Sequence, residues 1–322
     1  SSAASDVYKR QHYILRERPE VLAEDDSRHR YDFQSYLRQA GLPIPRLKLT
    51  PQGGPFVVLG EDSFELQREV NGELFSTADP RSLEWLAAAG SMLGQLHQAS
   101  QRYRGPQHQW PSEAHIGGLV QGWLNLARSK AEASEIYAIS SALENLVEQW
   151  EAALPAAMMA IGSVRGLPEF HIHGDYHPLN LRFDPQTQKV NAILGFEASR
   201  WEKRIIELAY SLFYFSALEW RPDTSLTRPL VKRGFEPERV RTFLGVYGAV
   251  YPPVPDEALL LVDALTLVAP IVSMNGPLED IFFSQEGVEE ELIDDVMERL
   301  AWAASLPGWL ERVRRSFAEM WR

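Results

Sequence analysis

The spacing of apolar residues divides the chain into a short region with strand periodicity and a long region with helical periodicity. Residues 13–18 (YILRER) alternate between apolar and polar side chains and precede Pro19, which predicts a strand. From residue 80 onward, apolar residues such as Leu83, Leu86 and Leu93 recur on one helix face. The pattern predicts strands near 13–18, 46–50, 55–60, 181–183 and 189–194. It predicts helices near 26–40, 80–100, 117–131, 135–159, 203–217, 236–248, 256–272, 288–304 and 306–320.

Residues 170–215 form the most informative stretch, FHIHGDYHPLNLRFDPQTQKVNAILGFEASRWEKRIIELAYSLFYF. A short apolar approach leads into a polar loop over residues 173–180, and two short strands joined by the turn sequence DPQTQ follow it. The loop places Asp175, a histidine and Asn180 at the end of a strand. Side chains held in this way suit proton acceptance and metal binding, because the scaffold fixes the loop that carries them.

Composition and charge narrow the classes of function. The chain has 322 residues, of which 45% are hydrophobic, and this is enough for a large core and two lobes. The formal net charge of −12 argues against nucleic acid or an anionic membrane as a partner. The sequence has no cysteine, which excludes disulfides and thiolate zinc sites. The apolar run at 258–274 is interrupted by Asp263 and Pro270, so we predict that it does not span a bilayer and that the protein is cytoplasmic.

The sequence HGDYHPLN at 173–180 resembles the HGDxHxxN catalytic loop of the superfamily of aminoglycoside phosphotransferases, choline kinases and type II homoserine kinases. These are small-molecule kinases with a protein-kinase-like fold. The resemblance implies a two-lobed α+β fold, with a small sheet-containing N-lobe at 12–70 and a mostly helical C-lobe at 71–322 that carries the catalytic loop at 171–180. It also implies that the protein phosphorylates a hydroxyl of a small molecule, with ATP and Mg2+ bound between the lobes.

The same resemblance assigns roles within the loop. Asp175 would be the catalytic residue that accepts the proton of the substrate hydroxyl, as the loop aspartate of kinases does. His173 would stand beside it in the catalytic loop, bracing the loop rather than reacting, and His177 could do the same. Asn180 would bind the magnesium ion. The motif carries no information about which hydroxyl compound is the substrate, and the oligomeric state is not indicated.

One position departs from the family's pattern. The motif that usually reads I-D-F/W-E/D/G is ILGFE at 193–197, so Gly195 stands where the family has a metal-binding aspartate. Mg2+ prefers oxygen ligands, and glycine has no side chain to supply one. Glu197 points to the same side of an extended segment as residue 195 and is the alternative metal ligand. Three interpretations stay open: an active kinase, a pseudokinase that binds nucleotide or substrate without phosphoryl transfer, and an aspartate codon changed to glycine by one base.

The N-terminal segment carries the remaining predictions for the nucleotide site. Residues 6–11 spell DVYKRQ, which matches a translated sequencing-adapter end, so we interpret 1–11 as a non-native leader and expect two strands upstream of 13–18 to be missing. By resemblance, Arg16 would contact nucleotide phosphates, with Arg18 as the alternative. The segment at 64–70 resembles the hinge between the lobes, where the backbone would bind adenine through these residues: Phe64, Glu65, Leu66 and Gln67.

Other polar and aromatic candidates have simpler interpretations. His97, in the helical sequence LGQLHQAS, is typical of a packed core histidine rather than a ligand. The acidic residues at 289–295 could attract a cationic substrate, but such a run usually forms a solvated helix face. Trp201, Trp220 and Trp302 could line a substrate pocket, although packing within the core is the commoner role of such residues.

Overall fold

The fold begins with a small antiparallel sheet and continues as a set of packed helices. The structure is a computed structural model that describes residues 12–18, 24–60, 62–107, 116–221, 234–282 and 290–321. The predicted leader at 1–11 lies outside these ranges, and so does residue 289 of the acidic run.

Three strands form the N-terminal sheet: β1 (Tyr13–Arg18), β2 (Val57–Leu59) and β3 (Asp62–Arg68), with helix α1 (Glu24–Gln39) following β1. Their order is β1-β3-β2, and β3 pairs antiparallel with both neighbours. Leu15 of β1 faces Leu66, and Val57 of β2 faces Phe64. Among the described residues β1 has β3 as its one neighbour, as expected for an edge strand.

The strand predicted at 46–50 is wrong. Leu47 forms a single bridge with Gln67, and the chain then turns, because the Thr50 and Gly54 backbones bond to each other at 2.8 Å. Pro45 lacks the N–H that a longer ladder would need. This segment therefore covers β3 over a few residues without becoming a strand of its own.

Seven helices of the described chain follow the sheet. They are α2 (Ser82–Ser100), α3 (Ile116–Ala133), α4 (Tyr137–Ser163), α5 (Arg204–Ser216), α6 (Pro237–Val250), α7 (Leu261–Phe282) and α8 (Glu290–Trp321). Two strand pairs lie between α4 and α5: β4 (Glu169–Ile172) with β7 (Arg200–Lys203), and β5 (Leu181–Phe183) with β6 (Val190–Ile193). The sequence predicted β5 and β6 but not β7.

The two C-terminal helices predicted at 288–304 and 306–320 are one helix, α8, with Pro307 inside it. A proline inside a helix removes one backbone hydrogen bond and usually ends or kinks the helix. Here the apolar face continues across the proline, because Leu306 and Leu310 are both buried in the core. Burial of that face offsets the lost hydrogen bond and keeps the helix continuous.

The segment Glu257–Met274, largely α7, has the length and the mean hydropathy (1.8) of a helix that could cross a membrane, and 83% of it is buried inside the protein. Asp263 is on this segment and forms an ion pair with Arg314 of α8, with 2.5 Å between Oδ2 and Nη1. Burial against other helices is typical of a core helix, which passes the same test of length and composition.

Candidate active site

The loop between β4 and β5 carries the predicted catalytic residues. It begins from the buried Phe170 and Ile172 of β4, whose pairing with β7 fixes the direction of the strand. The loop ends in a single 3₁₀ turn, Pro178–Asn180, which His177 caps by accepting the Leu179 N–H at Nδ1. The loop is therefore anchored at both ends, although it has no regular structure in between.

Asp175 has a carboxylate that accepts three side-chain hydrogen bonds. Tyr210 of α5 donates to Oδ1 at 2.6 Å, while His177 Nε2 and Asn180 Nδ2 donate to Oδ2 at 3.1 and 3.0 Å. Burial opposes ionisation, but the hydrogen bonds from His177 and Tyr210 outweigh it and hold the pKa of Asp175 well below its usual value. The side chain is still 31% exposed, so an ionised carboxylate in a fixed orientation faces solvent.

His173 uses both of its ring nitrogens to hold the loop. Nδ1 accepts the N–H of Asp175 at 3.1 Å, so Nε2 carries the proton and donates to the Leu194 carbonyl at 2.7 Å. The ring is fully buried, and burial lowers its pKa, which keeps it neutral. This is the bracing arrangement that the sequence suggested, and it leaves no ring nitrogen of His173 for a substrate.

Glu207 is a site residue that the sequence analysis missed. Its carboxylate, fully buried on α5, accepts the N–H groups of His173 and Gly174 at 3.0 and 2.5 Å and bonds to His97 Nε2 at 2.8 Å. His97 in turn accepts from the Tyr247 hydroxyl, so it is a packed histidine as predicted. The available signal was a single acidic residue within the otherwise apolar run of α5, since such a carboxylate must find partners when buried.

The Asn180 amide lies in the space that a side chain at Gly195 would occupy. Gly195 has left-handed backbone angles (φ 78°, ψ 48°), and a Cβ built on it would lie 2.4–2.5 Å from the amide group of Asn180. The Asn180 amide Nδ2 donates to both the main-chain carbonyl and the carboxylate of Asp175. The asparagine therefore fills the volume that an aspartate side chain at 195 would need, and it bonds to the catalytic loop.

Arg16 and Glu197, predicted separately for phosphate and metal binding, contact each other. Arg16 Nη1 lies 3.3 Å from Glu197 Oε1, and both side chains are partly exposed. In the described part of the chain, no group of three or more His, Asp or Glu residues is arranged to hold a metal ion. The carboxylate that could replace the aspartate at 195 is thus already engaged by a guanidinium.

The prediction of a hinge at 64–67 is wrong, because these residues lie inside β3: Phe64, Glu65, Leu66 and Gln67. All four pair with β1, and Phe64 also pairs with β2. The segment that joins the lobes is therefore the next one along the chain, at 69–73. Its last residue, Glu73, exchanges two backbone hydrogen bonds with Phe183 of β5, both at 2.9 Å.

The three tryptophans considered for a substrate pocket contribute to packing. Trp220 is fully buried, and its indole N–H donates to the Tyr214 carbonyl at 2.8 Å. Trp201 and Trp302 make edge contacts with His171 and Phe213. In the acidic run, Asp295 pairs with Arg299 one turn later on α8.

Comparisons with known proteins agree with this architecture. The model of a family described as "Phosphotransferase enzyme family" matches residues 1–243, whereas no curated protein sequence matches the chain. Similar solved structures include an aminoglycoside phosphotransferase from Alicyclobacillus acidocaldarius, with 16% identity, a TM-score of 0.65 and coverage of 96% of this chain and 87% of that one. A microcompartment-associated aminopropanol kinase has 15% identity and a TM-score of 0.63, with coverage of 96% of this chain and 88% of that one. An amicoumacin kinase in complex with AMP-PNP, Ca2+ and Ami has 14% identity and a TM-score of 0.62, with coverage of 92% of this chain and 82% of that one. At these identities the similarity shows the fold, and it confirms the two-lobed, kinase-like α+β prediction.

Proposed function

Because the chain belongs to the phosphotransferase enzyme family, we propose that it transfers the γ-phosphoryl group of ATP to a hydroxyl of a small molecule. The observation that carries the proposal is the Asp175 carboxylate, which three donors hold ionised at the mouth of the β4–β5 loop. We further propose that the reaction takes place in the cytoplasm without a nucleic acid or membrane partner.

Asp175 would act mainly by orientation. A carboxylate with a strongly lowered pKa is a poor proton acceptor, so it would not remove the hydroxyl proton early in the reaction. Phosphoryl transfer passes through a loose transition state in which the attacking hydroxyl carries little negative charge until late. A fixed, ionised carboxylate that accepts the hydroxyl hydrogen bond would align the nucleophile and take the proton as transfer completes.

The residues present fit a protein-held Mg2+ poorly. Gly195 contributes no side-chain oxygen, and Glu197 pairs with Arg16. Asn180, whose Nδ2 donates to Asp175, keeps its Oδ1 as the one amide oxygen of the described loop that could bind a metal ion. Mg2+ requires near-octahedral oxygen coordination, which here would come largely from water and the nucleotide phosphates. We therefore assign no step of the proposed reaction to a metal ion held by this chain.

A binding module without phosphoryl transfer is the second candidate, and Gly195 is the observation that favours it. The two functions differ in one measurement. Wild-type protein and Asp175→Asn are assayed for phosphate transfer from ATP to a panel of hydroxyl compounds that includes amino alcohols and aminoglycosides. ATP binding is followed in parallel by thermal shift.

For a phosphotransferase, Asp175→Asn should lower turnover by about 10²–10⁴ while the thermal shift with ATP persists. The matched control is Asp32→Asn, because Asp32 is exposed on α1 and should leave turnover unchanged. Equal turnover of wild type and Asp175→Asn would rule out the assigned role. ATP binding with no turnover in either protein would support the binding module.

A further inference from the structure

Arg182 is a charged residue between two residues of the core. Leu181 and Phe183 on either side of it in β5 are fully buried, so Arg182 points to the opposite face of the strand. That face lies against the segment joining the lobes, since a Cβ built on Gly72 would be 2.9 Å from the Cβ of Arg182. The arginine therefore lies on the C-lobe side of the space between the lobes.

The guanidinium of Arg182 is only partly satisfied. Nη1 donates to the carbonyls of Leu179 and Leu181 at 3.0 and 2.8 Å, which uses both of its hydrogens. The hydrogens on Nε and Nη2 bond to none of the residues that the structure describes, and no described carboxylate forms an ion pair with Arg182. Because Arg182 is half-buried and these N–H groups remain open, an anion could bind to them.

A second guanidinium adds to this positive charge. The charge of Arg16 and burial together lower the pKa of Arg182, with burial the larger cause, so the two cations repel each other. Arg16 pairs with the carboxylate of Glu197, and Gly195 has no side chain that could supply a second carboxylate. Two guanidinium groups thus influence each other here, in a chain whose net charge is −12.

We propose that Arg182, together with Arg16, binds the phosphate groups of the ligand directly, so that a phosphoanion binds between the lobes without a divalent cation. The planar guanidinium presents parallel N–H groups that match two phosphate oxygens, and partial burial strengthens the contact. This inference rests on the proposed function for the kind of ligand, but it needs no phosphoryl transfer.

Isothermal titration calorimetry with inorganic pyrophosphate and with ADP tests the proposal, first in EDTA and then in Mg2+. We expect wild-type protein to bind both ligands in EDTA with a Kd within about threefold of that in Mg2+. Arg182→Gln should weaken binding in EDTA about 10–100-fold, the range for a hydrogen bond to a charged group. Arg165→Gln is the matched control, because Arg165 is exposed in the loop before β4 and should bind as wild type does.

The outcomes separate this inference from the proposed function. Binding that requires Mg2+ overturns the inference and leaves the phosphotransferase proposal standing, whereas no binding under either condition removes both. Pyrophosphate binding by Arg182→Gln equal to wild type also overturns the inference. The comparison of EDTA with Mg2+ uses wild-type protein alone, so a variant that fails to fold does not weaken the test. Arg182→Lys, which keeps the charge but loses the planar fork, should fall between wild type and Arg182→Gln.

Discussion

Placing a carboxylate at position 195 is the perturbation that separates an enzyme from a binding module. In Gly195→Asp the new side chain would face the Asn180 amide at 2.4–2.5 Å, so Asn180 would have to rotate away from Asp175. The substitution thus adds a metal ligand and frees the asparagine in one step. We expect Mg2+-dependent ATP turnover to rise by at least about two orders of magnitude, since one positioned electrostatic group contributes about 3–4 kcal/mol.

The same change should cost stability in the absence of nucleotide. A left-handed backbone costs an L-residue roughly 1 kcal/mol, the lower end of its range, because aspartate tolerates this conformation better than most residues. Asn180 would lose two hydrogen bonds to Asp175, one of them to a carboxylate, which adds about 2–4 kcal/mol. Together these terms predict a melting temperature about 5–10 °C lower, which Mg2+ with ATP should partly restore.

Gly195→Asn is the matched control for this prediction. Asparagine has the same shape as aspartate and tolerates the same backbone angles, so it should displace Asn180 equally, but it brings no charge. The assay is ATP hydrolysis and transfer to the hydroxyl panel, with Mg2+ varied. If Gly195→Asp and Gly195→Asn turn over at the wild-type rate, position 195 is not the missing ligand and Glu197 would be the next residue to test.

Two further changes probe how the loop is held. In the Gly195→Asp background, Tyr210→Phe removes the donor to Asp175 Oδ1 and should lower kcat about 10–100-fold with the KM for ATP unchanged; an unchanged kcat would mean that the tyrosine does not orient the carboxylate. Burial lowers the pKa values of His97 and His173, so the unfolded chain binds protons that the folded chain does not, and the melting temperature should fall as pH drops below about 6.5. Higher stability at pH 5 than at pH 7.5 would contradict the assignment of the two histidines. For Glu207 burial opposes ionisation, but hydrogen bonds led by that from His97 lower its pKa, so a further loss of stability should appear below about pH 4.5.

The elements that the sequence predicted well are those whose pattern is local. α2 and α5 follow apolar spacing along one helix face, and β5 and β6 flank a turn whose composition is diagnostic. β7 was missed because RWEK has no apolar alternation, and it becomes a strand only by pairing with β4. The single α8 was predicted as two helices because Pro307 is a local break signal, whereas the packing that overrides it comes from elsewhere in the chain.

The site residues also divide into those that a local motif reveals and those that only the fold brings together. Residues 173–180 are contiguous, so one motif reveals Asp175 and its neighbours. Glu207 and Tyr210 belong to α5 and reach the loop only because the fold brings the helix beneath it. The predicted position of the hinge was wrong for a related reason. Residues 64–67 are recognised as the interior of a strand only from their pairing with β1, which is distant in the sequence, and at Phe64 also with β2.

The position of the Asn180 amide depends on the absence of a side chain at Gly195. Without a Cβ at 195, the amide can approach to a position that would otherwise be blocked, and there it donates to the main chain and the carboxylate of Asp175. The hydrogen bonds support the loop from within, and the amide fills the space that a side chain at 195 would take. Asp175 is consequently held in one orientation by protein groups alone, with Glu207 fixing the loop backbone from below. An aspartate at 195 would therefore add a metal ligand only by taking away this support, which is why the gain in turnover and the loss of stability should appear together.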